Sequence, residues 1–319
     1  MNTPGAAMQG RSKAGKADGV QSWPRKRWPL RLRLYAMALV VAVPAGIYVA
    51  HDIANHIADE FREARREMLT LAQVTAIDTA EFLGDSGDML TRFARRMVIG
   101  EAERGDCGLV REFSLLQARF ANMGLANLEG RLVCTSLPVA NGRSISIAHR
   151  GWFRAVSAGS PFAIGEVMVD LVTGTRAVAF GVPVRDANGT LSGALGISLS
   201  LAGYQPVTAG ATHRPGSIVA LVDGDGLVIS SSIQPERFAG TSVRDSQVMQ
   251  AVSGRQQGVM RAAAFDGIER VYGYTRVHGS DWYALAGLPV QAVHATALAD
   301  VWRKIVFLST IVFLLGVLA

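Results

Sequence analysis

Leu125–Ser136, LANLEGRLVCTS, is matched 96 residues later by Leu221–Ser232, LVDGDGLVISSS. Both run from apolar residues into an acidic or amide turn ending on glycine, Gly130 or Gly226, then into apolar residues that finish on small hydroxyl side chains. Each reads as a β-hairpin, because a short Asn, Asp and Gly turn between two β-prone runs brings the flanking strands together. Each is followed by more strands. In the first half these are AVAFGVPVRD and TLSGALGISLSL, joined by Asp186–Gly189. In the second they are GVMRAAAF and ERVYGYTRV around Asp266-Gly267, then WYALAGLPV. Tyr204–Gly216, with two prolines, is the expected joint. The duplication predicts an α+β chain with two consecutive PAS-like antiparallel-sheet modules, over 100–205 and 206–300. Tyr272, Tyr274, Trp282 and Tyr283 are expected in the core of the second.

Upstream the period is helical. Ile53, Ile57, Phe61, Ala64, Met68, Leu71 and Val74 recur every three or four residues, and Asp59, Glu60, Arg62, Glu63, Arg65, Arg66 and Glu67 lie opposite them. This predicts a long helix from His51 to about Phe82, in a stalk region spanning 51–99. Its apolar stripe either packs on the modules or pairs with a second copy, and a homodimer through 51–82 is the expected assembly. Gly84–Gly87 is expected to break the helix. Further helices are expected over Met89–Ile99 and from Leu109 through Phe113, Leu116 and Phe120 to Met123.

Two uncharged apolar segments bracket these modules. Leu34–Ala50 is 17 residues long, about 25 Å of helix, and Ile305–Ala319 follows Arg303 and Lys304. They predict membrane helices at 34–50 and 301–319. A cleaved signal peptide is the rival for the first, but the long stretch before it and the lack of a clear small-residue cleavage site favour an anchor. Residues 1–33 carry eight basic side chains against Asp18 alone, a net +7. The whole chain is +6, so everything after residue 33 sums to −1. The basic balance therefore belongs to the tail, which excludes a nucleic-acid-binding domain and places the tail on the cytoplasmic side. The modules are expected in the periplasm of a bacterium, between two crossings of the inner membrane. The chain reads as the sensor half of a longer receptor. Cys107 and Cys134 fall in this exported region, where a disulfide is the default and two buried free thiols the alternative.

The order of membrane helix, long helix, two sheet modules and membrane helix resembles the double Cache (dCache) extracytoplasmic sensors of chemoreceptors, sensor kinases and diguanylate cyclases. The resemblance is carried by FANMGLANLEGRLVCTS, HRGWFRAV, GVPVRDANGTLSGALGIS, ALVDGDGLVISSS and WYALAGLPV. It implies a ligand pocket in the first module opened by an Arg-x-Trp-Tyr motif, which Arg150, Trp152 and Phe153 match with phenylalanine in the last place. The guanidinium fork would hold a ligand carboxylate with two hydrogen bonds. A pocket tyrosine of the family falls at Ile145, and an acid for a ligand ammonium falls at Ser198. Asp170 is the substitute acid. The expected ligand is a small organic anion such as a carboxylate. The competing reading makes Trp152 and Phe153 core residues of a helix, with Arg150 on the surface.

No metal or cofactor is expected. Asp223-Gly-Asp225-Gly lacks the later glutamate of a calcium loop and reads as a hairpin turn. HExxH, CxxC, P-loop and nucleophile-elbow motifs are missing, as are cyclase, phosphodiesterase, kinase and methyl-accepting signatures. The function expected is that of a sensing input region, not an enzyme, which relays a shift to the second membrane helix. The alternatives are a stand-alone co-sensor acting through a partner protein that carries the output, or a remnant without one.

Overall fold

The computed structural model describes residues 30–113, 120–139, 144–206, 214–263 and 266–295, with 303, 306, 307, 309 and 310. The chain divides into two compact units, up to Asp52 and from Ile53 onward. Residues of the first belong to the opening of α1 (Leu30–Ala94), which contains Pro44. Leu39, Val40, Ile47 and Tyr48 are exposed there. Among the described residues, no helix is long and apolar enough to cross a membrane. The tail up to residue 29 and most of Ile305–Ala319 lie outside the described residues.

The second unit holds two five-stranded antiparallel sheets. After α1 come α2 (Ile99–Glu103) and α3 (Gly108–Phe113). The first sheet is built from β1 (Phe120–Asn127), β2 (Leu132–Thr135), β3 (Ala163–Val169), β4 (Arg176–Arg185) and β5 (Leu191–Ser200), with α4 (Gly151–Ser157) between β2 and β3. The second uses β6 (Ile218–Val222), β7 (Val228–Ser231), β8 (Gln257–Ala263), β9 (Glu269–Arg276) and β10 (Tyr283–Pro289), with α5 (Pro235–Phe238) and α6 (Gln247–Val252) inserted. The orders are β2-β1-β5-β4-β3 and β7-β6-β10-β9-β8, the same arrangement twice.

The repeat extends to single hydrogen bonds. Ser136 Oγ accepts from Met123 N, and Ser232 Oγ accepts from Val219 N. Ile147 N donates to Gly130 O, and Val243 N to Gly226 O. Both turn glycines have positive φ, +74° and +82°, and a Cβ on either would strike the backbone of Ala148 or Arg244. Glycine is therefore required twice, for conformation and for close approach. Asp223 Oδ1 accepts from Asp225 N and Leu227 N, so this acid closes its own hairpin turn.

From Ile53 onward, α1 backs both sheets. Ala64, Met68 and Ala72 pack with Val219, Ala286 and Leu288 of the second sheet. Gly273 on β9 faces the backbone of Met68 and Leu69, where any side chain would collide. Leu83, Leu90 and Ala94 pack with Val182, Leu195 and Ile197 of the first sheet. The stripe read as a candidate dimer seam is thus occupied from Ala64 to Leu71 by the chain's own second sheet, while Val74 is exposed. Ala64, Met68 and Ala72 are therefore buried within the chain itself and do not face a second copy.

The expected break at Gly84–Gly87 does not occur. Ser86 Oγ donates to Phe82 O, Thr91 Oγ1 donates to Gly87 O, and the Phe162 ring covers Gly87. Tertiary packing outweighs the roughly 1 kcal/mol per glycine that helix propensity charges. The helix expected to reach Met123 is also corrected. Phe120 and Met123 belong to β1, whose alternation sends Met123 and Leu125 toward α1 and leaves Asn122, Gly124 and Ala126 for the other face. Residues 114–119 of that reading lie outside the described residues.

Cys107 and Cys134 form a disulfide, with Cα atoms 5.6 Å apart, tying the start of α3 to edge strand β2. The 27-residue separation makes its loop-closure contribution about 3 kcal/mol. The two modules share one core: Phe180 of β4 meets Trp282 at 6.3 Å between ring centroids, and Leu221, Ile229 and Ala284 join the same cluster. Trp282 therefore serves the junction, while Tyr272, Tyr274 and Tyr283 lie in the second module's own core. Arg176 Nη1 donates to Ala239 O across the boundary at 2.9 Å.

Arg270, whose side chain is 1% exposed, is held by Asp266 through two hydrogen bonds of 2.7 Å and donates from Nε to Gly216 O. Burial alone would raise the Asp266 carboxyl, but the Arg270 guanidinium outweighs it and holds the group below its usual range. A depressed carboxyl contributes stability above its unfolded pKa and loses it as the pH falls. We expect Asp266→Ala to cost about 3 kcal/mol, because it strands a buried guanidinium. Thermal melts between pH 7 and pH 3 should show wild type losing stability at the acid end, with that loss reduced in the variant.

Candidate functional site

α4 begins directly after Arg150, whose backbone is extended (φ −72°, ψ 137°) and whose side chain makes no capping bond. The counterpart in the second module, 96 residues on, is Ser246, which caps α6 by accepting from Met249 N. Arg150 gives up the capping role and keeps its guanidinium for other partners. Trp152 and Phe153 are both buried, with their rings edge to face at 6.0 Å.

The indole of Trp152 lies on a floor of glycines. Gly181 of β4, Gly196 of β5 and Gly124 of β1 stand opposite one another in register. A Cβ on Gly181 or Gly196, or on Gly165 of β3, would run into the ring. At the matching register the second sheet carries Tyr274, Leu285 and Ala220, and its helix carries Val248 where the first has Trp152. One module places bulk on the helix and none on the sheet; the other does the reverse.

Beside the indole is a cavity of about 40 Å³ lined by Arg150, Trp152, Asp170, Ser198, Asn122 and apolar neighbours including Leu132, Ile147, Met168 and Leu171. Arg150 Nε and Trp152 Nε1 are buried and have no hydrogen-bond partner among the described residues. Arg150 Nη1 lies 3.8 Å from Glu166 Oε1 on β3. Asp170 is 4% exposed. Its Oδ1 accepts from Val172 N, Thr173 N and Thr173 Oγ1, and its Oδ2 accepts from Ser198 Oγ at 2.5 Å. Oδ2 therefore has lone-pair capacity left for a ligand.

The fold brings Arg150, Trp152, Asp170 and Ser198 to one cavity. Phe153 does not line it; the ring supports Trp152 from within the apolar cluster, which also takes Ile145. Ser198 on β5 is bonded to Asp170, which reaches it from the β3–β4 loop. Asn122, Glu166 and the glycine row were not singled out from sequence. The helical reading through Met123 hid Asn122, whereas Gly181 and Gly196 inside strand-like runs carried a usable signal of close approach.

The equivalent cavity in the second module is closed. It amounts to about 10 Å³, lined by Ile218, Ala220, Val243, Ser246, Val248 and Tyr272. The register that sets Ala179, Ser198 and Asn122 side by side in the first sheet sets Tyr272, Gly287 and Ile218 side by side in the second. Tyr272 covers Gly287, and burial pushes its hydroxyl up to about 12, partly opposed by the neighbouring Arg270.

Two five-stranded antiparallel sheets backed by one long helix, with a cavity in the first module that joins polar and apolar side chains, are the features to set beside known proteins. The chain belongs to the Cache domain family: residues 45–297 match the dCache_1 family model. No curated protein matches the sequence. Among solved structures it shares the fold of the extracellular domain of a protein described as a histidine kinase, rpHK1S-Z16, with TM-score 0.58 and 15% identity, covering 70% of this chain and 93% of that one. The ligand-binding domain of Pseudomonas fluorescens chemoreceptor CtaA in complex with L-isoleucine gives TM-score 0.57 and 17% identity, over 74% and 96%. That of Campylobacter jejuni chemoreceptor Tlp3 in complex with L-valine gives 0.55 and 11%, over 75% and 97%.

A methyl group on the glycine floor has nowhere to go, so Gly181→Ala should cost about 1–3 kcal/mol and shift Trp152 fluorescence. Gly84→Ala, with open space around it, should instead stabilise α1 slightly. Denaturant unfolding followed by tryptophan emission separates the two.

Proposed function

We propose that the chain is the extracytoplasmic sensing region of a transmembrane receptor, and that its first module binds a small carboxylate, best fitted by an α-amino acid. One observation carries this reading: two buried donors without partners among the described residues, Arg150 Nε and Trp152 Nε1, belong to side chains that line the same cavity as the buried acid Asp170. Unpaired buried donors each cost about 1–3 kcal/mol, a penalty that a ligand carboxylate would remove. Asp170 Oδ2 would receive the ammonium. The L-isoleucine and L-valine complexes of CtaA and Tlp3 support this choice of ligand class. This region acts by binding rather than by catalysis.

In this reading Leu34–Ala50 and 301–319 are membrane helices. The exposed Leu39, Val40, Ile47 and Tyr48 face lipid, and the basic residues 1–33 stay in the cytoplasm. Residues 51–304 lie in the periplasm. A second copy would pair along the other face of α1, where Ile77 is 65% exposed, and the output would lie in a cytoplasmic region or a partner protein. The relay starts at the ligand loop. Asp170 N donates to Thr175 O, and the next residue, Arg176, reaches Ala239 O in the second module. Arg176 packs against Gly240, where a Cβ would meet its side chain. A shift of the loop thus reaches the second module and, through it, the second membrane helix.

Calorimetry on the full chain in detergent with L-amino acids and small carboxylates tests the binding reading. Arg150→Ala should weaken binding about 10- to 100-fold, the loss of a charge-assisted pair; unchanged affinity removes Arg150 from the site. Arg176→Ala should leave affinity within about threefold yet abolish ligand-induced change in hydrogen exchange at residues 228–241. Undiminished change there would rule out this route.

A further inference from the structure

Asn122 is a polar residue of the cavity that the reading above does not use. It is 6% exposed and stands on β1 opposite Ser198 of β5, so that its side chain adjoins the hydroxyl bound to Asp170. Its orientation is set by Ser136. That hydroxyl accepts from Met123 N, and its own proton goes to Asn122 Oδ1 at 2.9 Å. With Oδ1 used in this way, the amide nitrogen is left as the free end. It makes no other hydrogen bond among the described residues.

The second module supplies an internal control. Ser232 repeats the bond of Ser136, accepting from Val219 N at 2.9 Å, but the residue in the place of Asn122 is Ile218. The serine is thus common to both modules as part of the hairpin framework. The amide is found only where the cavity is open. A buried amide in place of an aliphatic chain lowers stability unless its donors find partners. It is the kind of group by which a site rejects an analogue lacking one oxygen.

We propose that Asn122 is a specificity-determining ligand contact, positioned by Ser136, which donates to an oxygen on the ligand's side chain next to the cationic group received by Asp170. The inference rests on the amino-acid reading of the cavity. The class it selects is small amino acids with a hydroxyl or carbonyl oxygen close to the α-carbon, preferred over aliphatic ones of the same shape. A cavity of about 40 Å³ also favours the short side chain.

L-threonine and L-valine are near-isosteric and make the test direct. Calorimetry on the full chain in detergent should give at least about tenfold tighter binding of L-threonine, and likewise of L-serine over L-alanine. Asn122→Leu should bring both ratios near one by weakening the oxygen-bearing ligands. Asn122→Ala removes both ends of the amide and offers the ligand hydroxyl neither a donor nor an acceptor. It should lose the preference as well, and it covers the case in which the leucine variant fails to fold. A wild type that favours L-valine, or a preference that survives in Asn122→Ala, overturns this inference and leaves the roles of Arg150 and Asp170 standing. Failure of all four amino acids to bind wild type overturns the amino-acid reading and this inference with it.

Discussion

On adjacent strands of the first sheet Gly196 and Gly181 stand in register, and the trough they leave holds the indole of Trp152. A protein interior is packed as closely as an organic crystal, so an indole can lie flat on a sheet only where side chains have been removed from it. Its position settles what surrounds it. Among the described residues the indole N–H has no partner, and neither has Nε of Arg150, two residues earlier. Asp170 and Ser198, bonded to each other, line the same cavity.

The second module shows what becomes of the same framework when the packing is reversed. Its hairpin, its turn glycine and its serine–backbone bond repeat at a constant spacing, yet Tyr274 and Leu285 stand where the glycines were and Tyr272 fills the space beside them. Small and large residues have exchanged sides of one interface. The open cavity of one module and the closed one of the other thus follow from where the volume sits, with no change of topology.

The duplication and the α+β class were legible because turn chemistry and strand alternation are local: Gly130 and Gly226 each occupy a backbone conformation that their own neighbours demand. Arg150, Trp152 and Asp170 were legible as residue types suited to a carboxylate and an ammonium. What escaped was decided by contacts distant in sequence. Gly84 and Gly87 look like helix breakers until Phe162, some 75 residues on, covers the second of them. Phe120 and Met123 fit a helical spacing, and only pairing with β5 makes them a strand. The stripe on α1 was read correctly as apolar, but its partner was a sheet about 150 to 220 residues further along the same chain. No single-residue signal could name that partner.

The stretch of α1 from Ile53 to Ala94 has a further consequence for how the molecule comes apart. It contributes Ala64 and Met68 to the back of one sheet and Leu83 and Leu90 to the back of the other, while Phe180 and Trp282 join the two cores directly. Peeling either sheet from this spine exposes apolar surface on the spine as well, so each module, besides a cluster of its own, depends on a core that it shares. The paired modules are therefore one cooperative unfolding unit, despite their repeated architecture.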